Sequence, residues 1–199
     1  MKILVNLSSE SLSLNKEKIE LLSDWIHTND KDLVPKMKAA FPMFITKMKQ
    51  TAYRGMKLPA KSFETLKRTA VFGDSSFSID REVAEEFAKI KINGSKSMQD
   101  FGVLYKVDVE AGAFDIDSLI DHLNSLSKNK DPSVSKIFDW RDEPWVWKEK
   151  EIIGKGKGKL EAIYATKKIA KYLDSSIKIV PKTVLEKGQF ISADLLKDV

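Results

Sequence analysis

One strand-like segment, residues 147–154 with the sequence WKEKEIIG, places the strongest constraint on this chain. In a β-strand, residues i and i+2 point to the same face, so Glu149 and Glu151 are predicted to stand side by side, with Cα atoms about 6 to 7 Å apart. Two acids at a sugar carbon can divide the work: one stabilises a positively charged, oxocarbenium-like transition state, and the other handles a proton or orients the nucleophile. Chance alone supplies about one Glu-x-Glu in such a chain, so the interpretation depends on other segments.

Length and composition favour a single soluble domain. A chain of 199 residues can bury roughly 70% of the surface that it exposes when unfolded. With 42% hydrophobic and 32% charged residues, it falls among globular proteins. The lack of cysteine excludes a disulfide framework, thiolate catalysis and Cys-ligated zinc. Only His27 and His122 are available for a histidine metal site or a Ser-His-Asp triad, so no metal is expected.

The first residues and the net charge bear on location and partners. The opening apolar run, residues 3–7, is too short for a signal peptide, and no stretch approaches the ~18 apolar residues of a membrane span. We therefore expect a cytoplasmic protein without a membrane partner. A monomer is expected as well. A net charge of +5 either favours acidic partners through a mild positive field or serves solubility alone.

Residues 15–50 have a helical pattern. Asn15 can cap a helix whose apolar residues recur at helical spacing, and a second helix is predicted over 33–41. Pro42 stops or kinks this helix before apolar residues up to Met48 continue it.

An arginine lies in the first strand-like segment, residues 52–56. Arg54 could offer a rigid two-pronged donor to a phosphate or carboxylate, while Gly55 lets a ligand approach the backbone. A surface arginine in an ordinary ion pair would explain the same residues.

A strand-to-helix junction follows at Ser76, Phe77 and Ser78. Asp80 is a good N-cap for the next helix, whose apolar face includes Phe87. The serine hydroxyls can hold a nearby carboxylate in one rotamer, or serve simply as caps and turns.

The remaining chain is predicted to hold strands over 102–109, 160–165 and 176–180 and a helix over 115–126. Three of the four tryptophans lie between Trp140 and Trp147, where they either clamp a ligand or pack in the core.

The alternating segment 154–159, GKGKGK, lacks the Gly-x-x-x-x-Gly-Lys-Ser/Thr spacing of a phosphate-binding loop. A solvated hairpin tip is the expected structure, and attraction to an acidic partner is the alternative function.

Three of these segments together resemble a known signature. Residues 53–55 (YRG), 76–78 (SFS) and 149–151 (EKE, followed by two isoleucines) resemble, in this order, the arginine, serine and glutamate motifs of the mono-ADP-ribosyltransferases. The chain is most similar to the Alt/Mod-type arginine-directed enzymes of tailed phages, which have this length, a helical N-terminal part and the Ala-x-x-Phe-Ala pattern of residues 84–88. The resemblance covers roughly residues 50–158.

The resemblance implies an α+β fold, with a two-sheet ADP-ribosyltransferase core and N-terminal helices. A single domain would span residues 1–199, with a helical part over 1–50 and the catalytic core over 51–199. The implied activity is transfer of ADP-ribose from NAD, as co-substrate, to arginine side chains of a host protein, with release of nicotinamide. Target proteins of the transcription or translation machinery and a location in the host-cell cytoplasm are implied as well.

The resemblance also assigns roles to the two acids. Glu151 matches the catalytic glutamate, which holds the ribose 2′-hydroxyl of NAD and stabilises the cation formed as nicotinamide leaves. Glu149 matches the acid on the acceptor side, where a glutamate implies an arginine acceptor. The segment from Trp140 to Trp147 occupies the position of the target-recognition loop.

Five further residues are implied to bind NAD or to support the catalytic acid. Arg54 would bind the NAD phosphates or ribose, and Gly55 would offer its backbone to the nicotinamide amide. Ser76 would support Glu151 and the nicotinamide ribose, with Ser78 beside it. Phe87 would stack near nicotinamide, although it fits a helix core equally well.

Two other functions remain open at this point. One is an NAD glycohydrolase, in which water takes the place of arginine. The other is a catalytically silent, basic binding module for nucleic acid or protein.

Overall fold

The computed structural model describes residues 15–28, 30–62, 65–89, 100–128, 150–165 and 189–192. The helices in these ranges are α1 (Lys16–Thr28), α2 (Val34–Ala40), α3 (Arg81–Lys89) and α4 (Ile116–Lys128). The strands are β1 (Gln50–Pro59), β2 (Thr69–Ser78), β3 (Asp100–Val109), β4 (Phe114–Asp115), β5 (Glu151–Ala165) and β6 (Gln189–Ser192). Short 3₁₀ turns lie at Lys31–Leu33, Pro42–Phe44 and Ala60–Ser62. In this part of the chain, no helix has both the length and the apolar character needed to cross a membrane.

The strands pair antiparallel around β5, and the predicted α+β class is confirmed. One edge of β5 pairs with β2 over residues 151–159, and the other pairs with β3 over 156–164. β1 pairs with β3 along its whole length and meets β2 where Tyr53 faces Ser78. The resemblance implied two sheets, and the structure joins all of the described strands in one sheet that curls on itself around β5.

The segment 154–159 is not a hairpin tip, and that prediction is wrong. It lies within β5, with its glycines buried and its lysines exposed. A Cβ on Gly156 would lie 2.7 Å from Cγ1 of Val107, and one on Gly158 would lie 2.6 Å from Cε2 of Phe72. Glycine is common in turns, but here the missing side chains let a central strand lie close over the packed interior of a curled sheet.

Three apolar clusters hold the sheet and helices together. The first lies inside the curled sheet and contains Ala52, Phe77, Phe101, Val103, Tyr105, Val107, Val109, Ala113, Ile152, Leu160 and Ile163. The second joins α1, α2 and α4 and includes Leu22, Trp25, Val34, Met37, Phe41, Phe44, Phe114, Leu119, Leu123 and Ile153. The third lies under α3 and contains Ala84, Ala88, Leu104, Ala162 and Tyr164. The outer face of β5 is the one that points away from the interior of the curled sheet. One helical layer, made of α1, α2 and α4, covers one end of this face, and a second layer, α3, covers the other end.

The N-terminal helices follow the sequence pattern over most of their length. The side chain of Asn15 caps α1, because its Oδ1 accepts the Lys18 backbone N–H at 3.0 Å. The prediction of helix continuing to Met48 is wrong, since residues 45–49 are extended or bent. Ile45 instead forms a β-bridge with Phe114, so the chain gains an inter-strand partner after the break at proline.

Helix α3 begins at a side-chain cap and packs directly on the backbone of the sheet. Oδ1 of Asp80 accepts the Glu82 backbone N–H at 2.9 Å, as the sequence predicted for an N-cap. A Cβ on Gly55 would lie 1.7 Å from the carbonyl oxygen of Ala84, and one on Gly102 would lie 2.0 Å from that of Ala88. Two glycines of the sheet and two alanines of the helix therefore let α3 approach β1 and β3 closely, and this approach forms one wall of the site.

Candidate functional site

One cleft opens where β1, β2, α3 and the start of β5 meet. Its empty volume is about 540 Å³, part of which is open to solvent. The lining residues are Tyr53, Arg54, Gly55, Ser76, Phe77, Ser78, Ala84, Phe87 and Glu151. Six of the seven residues that the resemblance singled out as catalytic or NAD-binding therefore lie around one opening.

Glu151 is the buried acid of the cleft. It is the first residue of β5, is 8% exposed, and stands opposite Ser78 in the β2–β5 pairing. The hydroxyl of Ser76 donates a hydrogen bond to its Oε1. Burial raises the pKa of the Glu151 carboxyl above its usual range, while the Ser76 hydrogen bond and the charge of Arg54 act in the opposite direction. The residues around this carboxylate thus offset part of the cost of burying it.

Lys150, the residue just before β5, fixes the position of Glu151, and no sequence pattern indicated this role. Lys150 adopts a left-handed backbone conformation with φ of 45°, which is uncommon for a non-glycine residue. Its carbonyl accepts the Ile79 N–H at 3.0 Å, and its Nζ lies 3.9 Å from Oδ2 of Asp80. The residue before Glu151 is therefore tied to the junction of β2 and α3. A lysine carries no local signal for positive φ, so only the structure identifies this contact.

Arg54 lies beside the acid with one donor unused. Its Nη1 donates to the carbonyl of Ser76, and its guanidinium carbon lies 5.8 Å and 5.9 Å from the ring centroids of Phe72 and Phe77. Burial lowers the pKa of Arg54, while the charge of Glu151 raises it. Its buried Nε has no hydrogen-bond partner among the described residues. Such an unmet donor costs about 1 to 3 kcal/mol, and a bound anion would offset that cost by accepting its hydrogen bond.

The two serines of the motif have different contacts. Ser76 donates to the Glu151 carboxylate, whereas Oγ of buried Ser78 accepts the Asp80 backbone N–H at 3.1 Å. Both serines line the cleft. The sequence left a choice between holding a carboxylate and capping a turn, and each serine takes one of these roles.

Phe87 is not part of the helix core. It is 40% exposed and lines the cleft, while Ala84 and Ala88 are the buried residues of α3. The sequence allowed Phe87 either to pack in the helix core or to stack on a ligand. Core packing is wrong, and the exposed ring is accessible to a ligand in the cleft. The apolar pattern of the helix could not separate these possibilities, because both place Phe87 on the same side.

Two predicted elements of the site, Glu149 and the segment from Trp140 to Trp147, lie outside the described residues, as does the strand predicted over 176–180. The side-by-side arrangement of Glu149 and Glu151 therefore stays a prediction. Within the described part of the chain, no group of three or more His, Cys, Asp or Glu side chains is placed to hold a metal ion.

Comparisons with known proteins are sparse. No family model matches the chain, and no curated protein matches it. The chain is similar to a solved structure, the ADP-ribosyltransferase Vis in complex with the M6 inhibitor, at 15% identity. The match covers 91% of this chain and 70% of that chain with a TM-score of 0.37. At this low identity and loose superposition, the chemistry must be argued from the residues of the cleft.

Glu151→Gln is expected to stabilise the protein at pH 8. A carboxyl whose pKa is raised on folding binds more protons in the folded state, so the stability that this one group contributes is fully present below the ordinary value of 4.5. That stability is lost as the pH rises through the raised pKa. A glutamine is neutral throughout and can still accept from Ser76. We expect a gain of about 1 kcal/mol at pH 8, or about 2 to 4 °C in Tm.

Thermal unfolding from pH 3.5 to 8, with exposed Glu110→Gln as control, measures this effect. The difference between variant and wild type should shrink toward the acid end. A variant less stable than the wild type at pH 8 would contradict the prediction, because the contacts of the carboxylate would then outweigh its burial.

Proposed function

We propose that this protein transfers ADP-ribose from NAD to arginine side chains of target proteins and releases nicotinamide. The observation that carries the proposal is the buried carboxylate of Glu151, held by Ser76 and placed beside Arg54 in one cleft. These three residues come from three strands and match the three motifs of the resemblance in order.

The groups around the cleft fit the parts of NAD. A guanidinium with a free donor suits the negative diphosphate or the ribose oxygens, because arginine offers several fixed N–H groups. A carboxylate can accept a hydrogen bond from a ribose hydroxyl. The exposed ring of Phe87 offers a flat apolar surface to an aromatic ring, and the backbone of Gly55 lines the same cleft.

The proposed reaction breaks the bond between C1′ of the ribose and the nicotinamide nitrogen. Nicotinamide leaves with the electron pair, and positive charge develops on the ribose. Glu151, in its ionised form, stabilises this charge from a fixed position, which is the usual source of large rate gains. A nitrogen of the acceptor arginine then bonds to C1′ and loses a proton, which Glu149 accepts.

The test is incubation of the purified protein with NAD labelled in its adenylate part and a bacterial lysate. The wild type and the control Glu110→Gln are expected to label discrete proteins, which belong in this proposal to the transcription or translation machinery. Glu151→Gln is expected to label none and to leave NAD intact. Glu149→Gln is expected to lose transfer and retain slow NAD cleavage, since its role lies on the acceptor side.

Three results would contradict the proposal. Free ADP-ribose that accumulates at the same rate with and without lysate would indicate an NAD glycohydrolase, which the solvent-open cleft also permits. A wild type that labels nothing and leaves NAD intact would indicate a binding module. Labels stable to hydroxylamine would argue against arginine as the acceptor.

A further inference from the structure

The outer face of β5 carries a row of lysines that the cleft does not use. We call Lys155, Lys157 and Lys159 of β5, together with Lys106 of β3, the lysine row. All four are exposed, and Lys106 is the cross-strand partner of Lys159. Same-face residues along a strand are about 7 Å apart, so the row presents evenly spaced cations on a rigid sheet.

The lysine row lies in a gap between the two helical layers. On one side, Ile153 packs in the cluster with α4 and the N-terminal helices. On the other side, beyond a register shift in the β3–β5 pairing, Ala162 and Tyr164 pack under α3. Val71 of β2, opposite Lys157, is 82% exposed. The middle of this sheet face is therefore open, and its prominent side chains are cationic.

The charge of the lysine row is only partly balanced by its described neighbours. No ion pair among the described residues involves any of its four lysines. Three carboxylates lie close in register: Asp108 is opposite Lys157, Glu110 donates its N–H to the Lys155 carbonyl, and Asp74 lies in the irregular part of β2 opposite Lys155. Lys106 and Lys159 lie opposite each other, and their other cross-strand partners are Tyr53 and Thr69, so neither lysine has a carboxylate opposite it. Like charges opposite each other destabilise a sheet, so a bound polyanion would reduce the repulsion between Lys106 and Lys159.

We propose that the lysine row binds the phosphate backbone of duplex nucleic acid. A duplex presents regularly spaced, fixed phosphates, which suit a rigid and regular row better than the flexible carboxylates of an acidic peptide. The described aromatic side chains of β3 and β5, Phe101, Tyr105 and Tyr164, are all buried, so these two strands present no described ring for stacking unpaired bases. The contacts would therefore be electrostatic and independent of sequence.

This surface is separate from the proposed transfer reaction, because none of its lysines lines the cleft. Binding is measured without NAD, and Glu151→Gln is expected to bind duplex as the wild type does. Failure of the transferase proposal and failure of this one can therefore be told apart.

The experiment is fluorescence anisotropy with a labelled random-sequence DNA duplex at several salt concentrations. The test variant carries Lys157→Gln and Lys159→Gln, and the control carries Lys16→Gln and Lys36→Gln at exposed helix positions. The test variant is expected to bind at least about tenfold more weakly in 0.1 M salt. Its slope of log affinity against log salt should be shallower by about 1.8, at 0.9 per lost phosphate contact. The control should keep the wild-type slope.

Several outcomes would overturn the proposal. They are absence of wild-type binding in low salt, an equal loss in the control, or displacement of the duplex by polyglutamate as effectively as by unlabelled duplex. A further variant with Lys157→Arg and Lys159→Arg should bind like the wild type, which separates loss of charge from disturbance of the strand. Tm values equal to that of the wild type would show that each variant is folded.

Discussion

Glu151→Gln is expected to reduce the rate of nicotinamide release from NAD by at least about 100- to 1000-fold, the usual effect of removing one preorganised stabilising group. The proposed reaction develops positive charge on the ribose, and a neutral amide cannot offset it. The loss should fall on kcat more than on KM, because Arg54 and Phe87 remain to bind NAD. Measurement of released nicotinamide over time, with wild type, variant and Glu110→Gln, gives the comparison.

Two companion measurements distinguish a catalytic carboxylate from a structural one. Ser76→Ala should slow the reaction less, by on the order of tenfold, because the acid remains but loses the hydroxyl that orients it. The wild-type rate should rise with pH as the carboxyl ionises, with a midpoint above 4.5 because burial raises the pKa of Glu151. A Glu151→Gln rate within tenfold of the wild type would remove Glu151 from the proposed mechanism.

Gly55→Ala is expected to destabilise the protein by at least about 3 kcal/mol, at the upper end for overpacking of a well-packed site. The added Cβ would lie 1.7 Å from the Ala84 carbonyl oxygen and 2.8 Å from the Ala88 nitrogen, and both are backbone atoms that cannot rotate away. Helix α3 would have to move off β1. In a domain of this size the loss corresponds to about 6 to 12 °C in Tm.

The matched control is Gly73→Ala, since a Cβ on Gly73 would meet nothing within 4 Å. Its effect should stay within about 1 kcal/mol in either direction. Because α3 also carries Phe87, Gly55→Ala should weaken NAD binding even at temperatures where the chain is folded. If both variants unfolded at the wild-type temperature, the close packing of α3 on β1 would be disproved.

The expected effect of Gly55→Ala also bears on how the site is built. Gly55 was singled out because a ligand can approach glycine backbone, and the structure adds a second reason, the close approach of α3. A substitution there disturbs a wall of the cleft and the helix behind it together. Loss of activity in Gly55→Ala is therefore interpretable only beside its unfolding curve.

The sequence by itself determined the features that depend on neighbouring residues. The Asn15 and Asp80 caps, the alternation of β3 and the helical pattern of α1 follow from contacts within a few residues, which local patterns report directly. The α+β class was implied by the resemblance that the three motifs carry. The order of the three motifs singled out Arg54, Ser76 and Glu151, and the structure places these residues in one cleft.

Only the tertiary structure decided features that depend on distant partners. The hydroxyl of Ser76 meets a carboxylate 75 positions away because β2 and β5 pair in one register. The segment 154–159 became a central strand because two other strands flank it, although its glycines alone favour a turn. Lys150 adopts its left-handed conformation where its carbonyl and side chain meet the β2–α3 junction. Local propensities amount to a few tenths of a kcal/mol to about 1 kcal/mol per residue, and packing and pairing outweigh them wherever the two conflict.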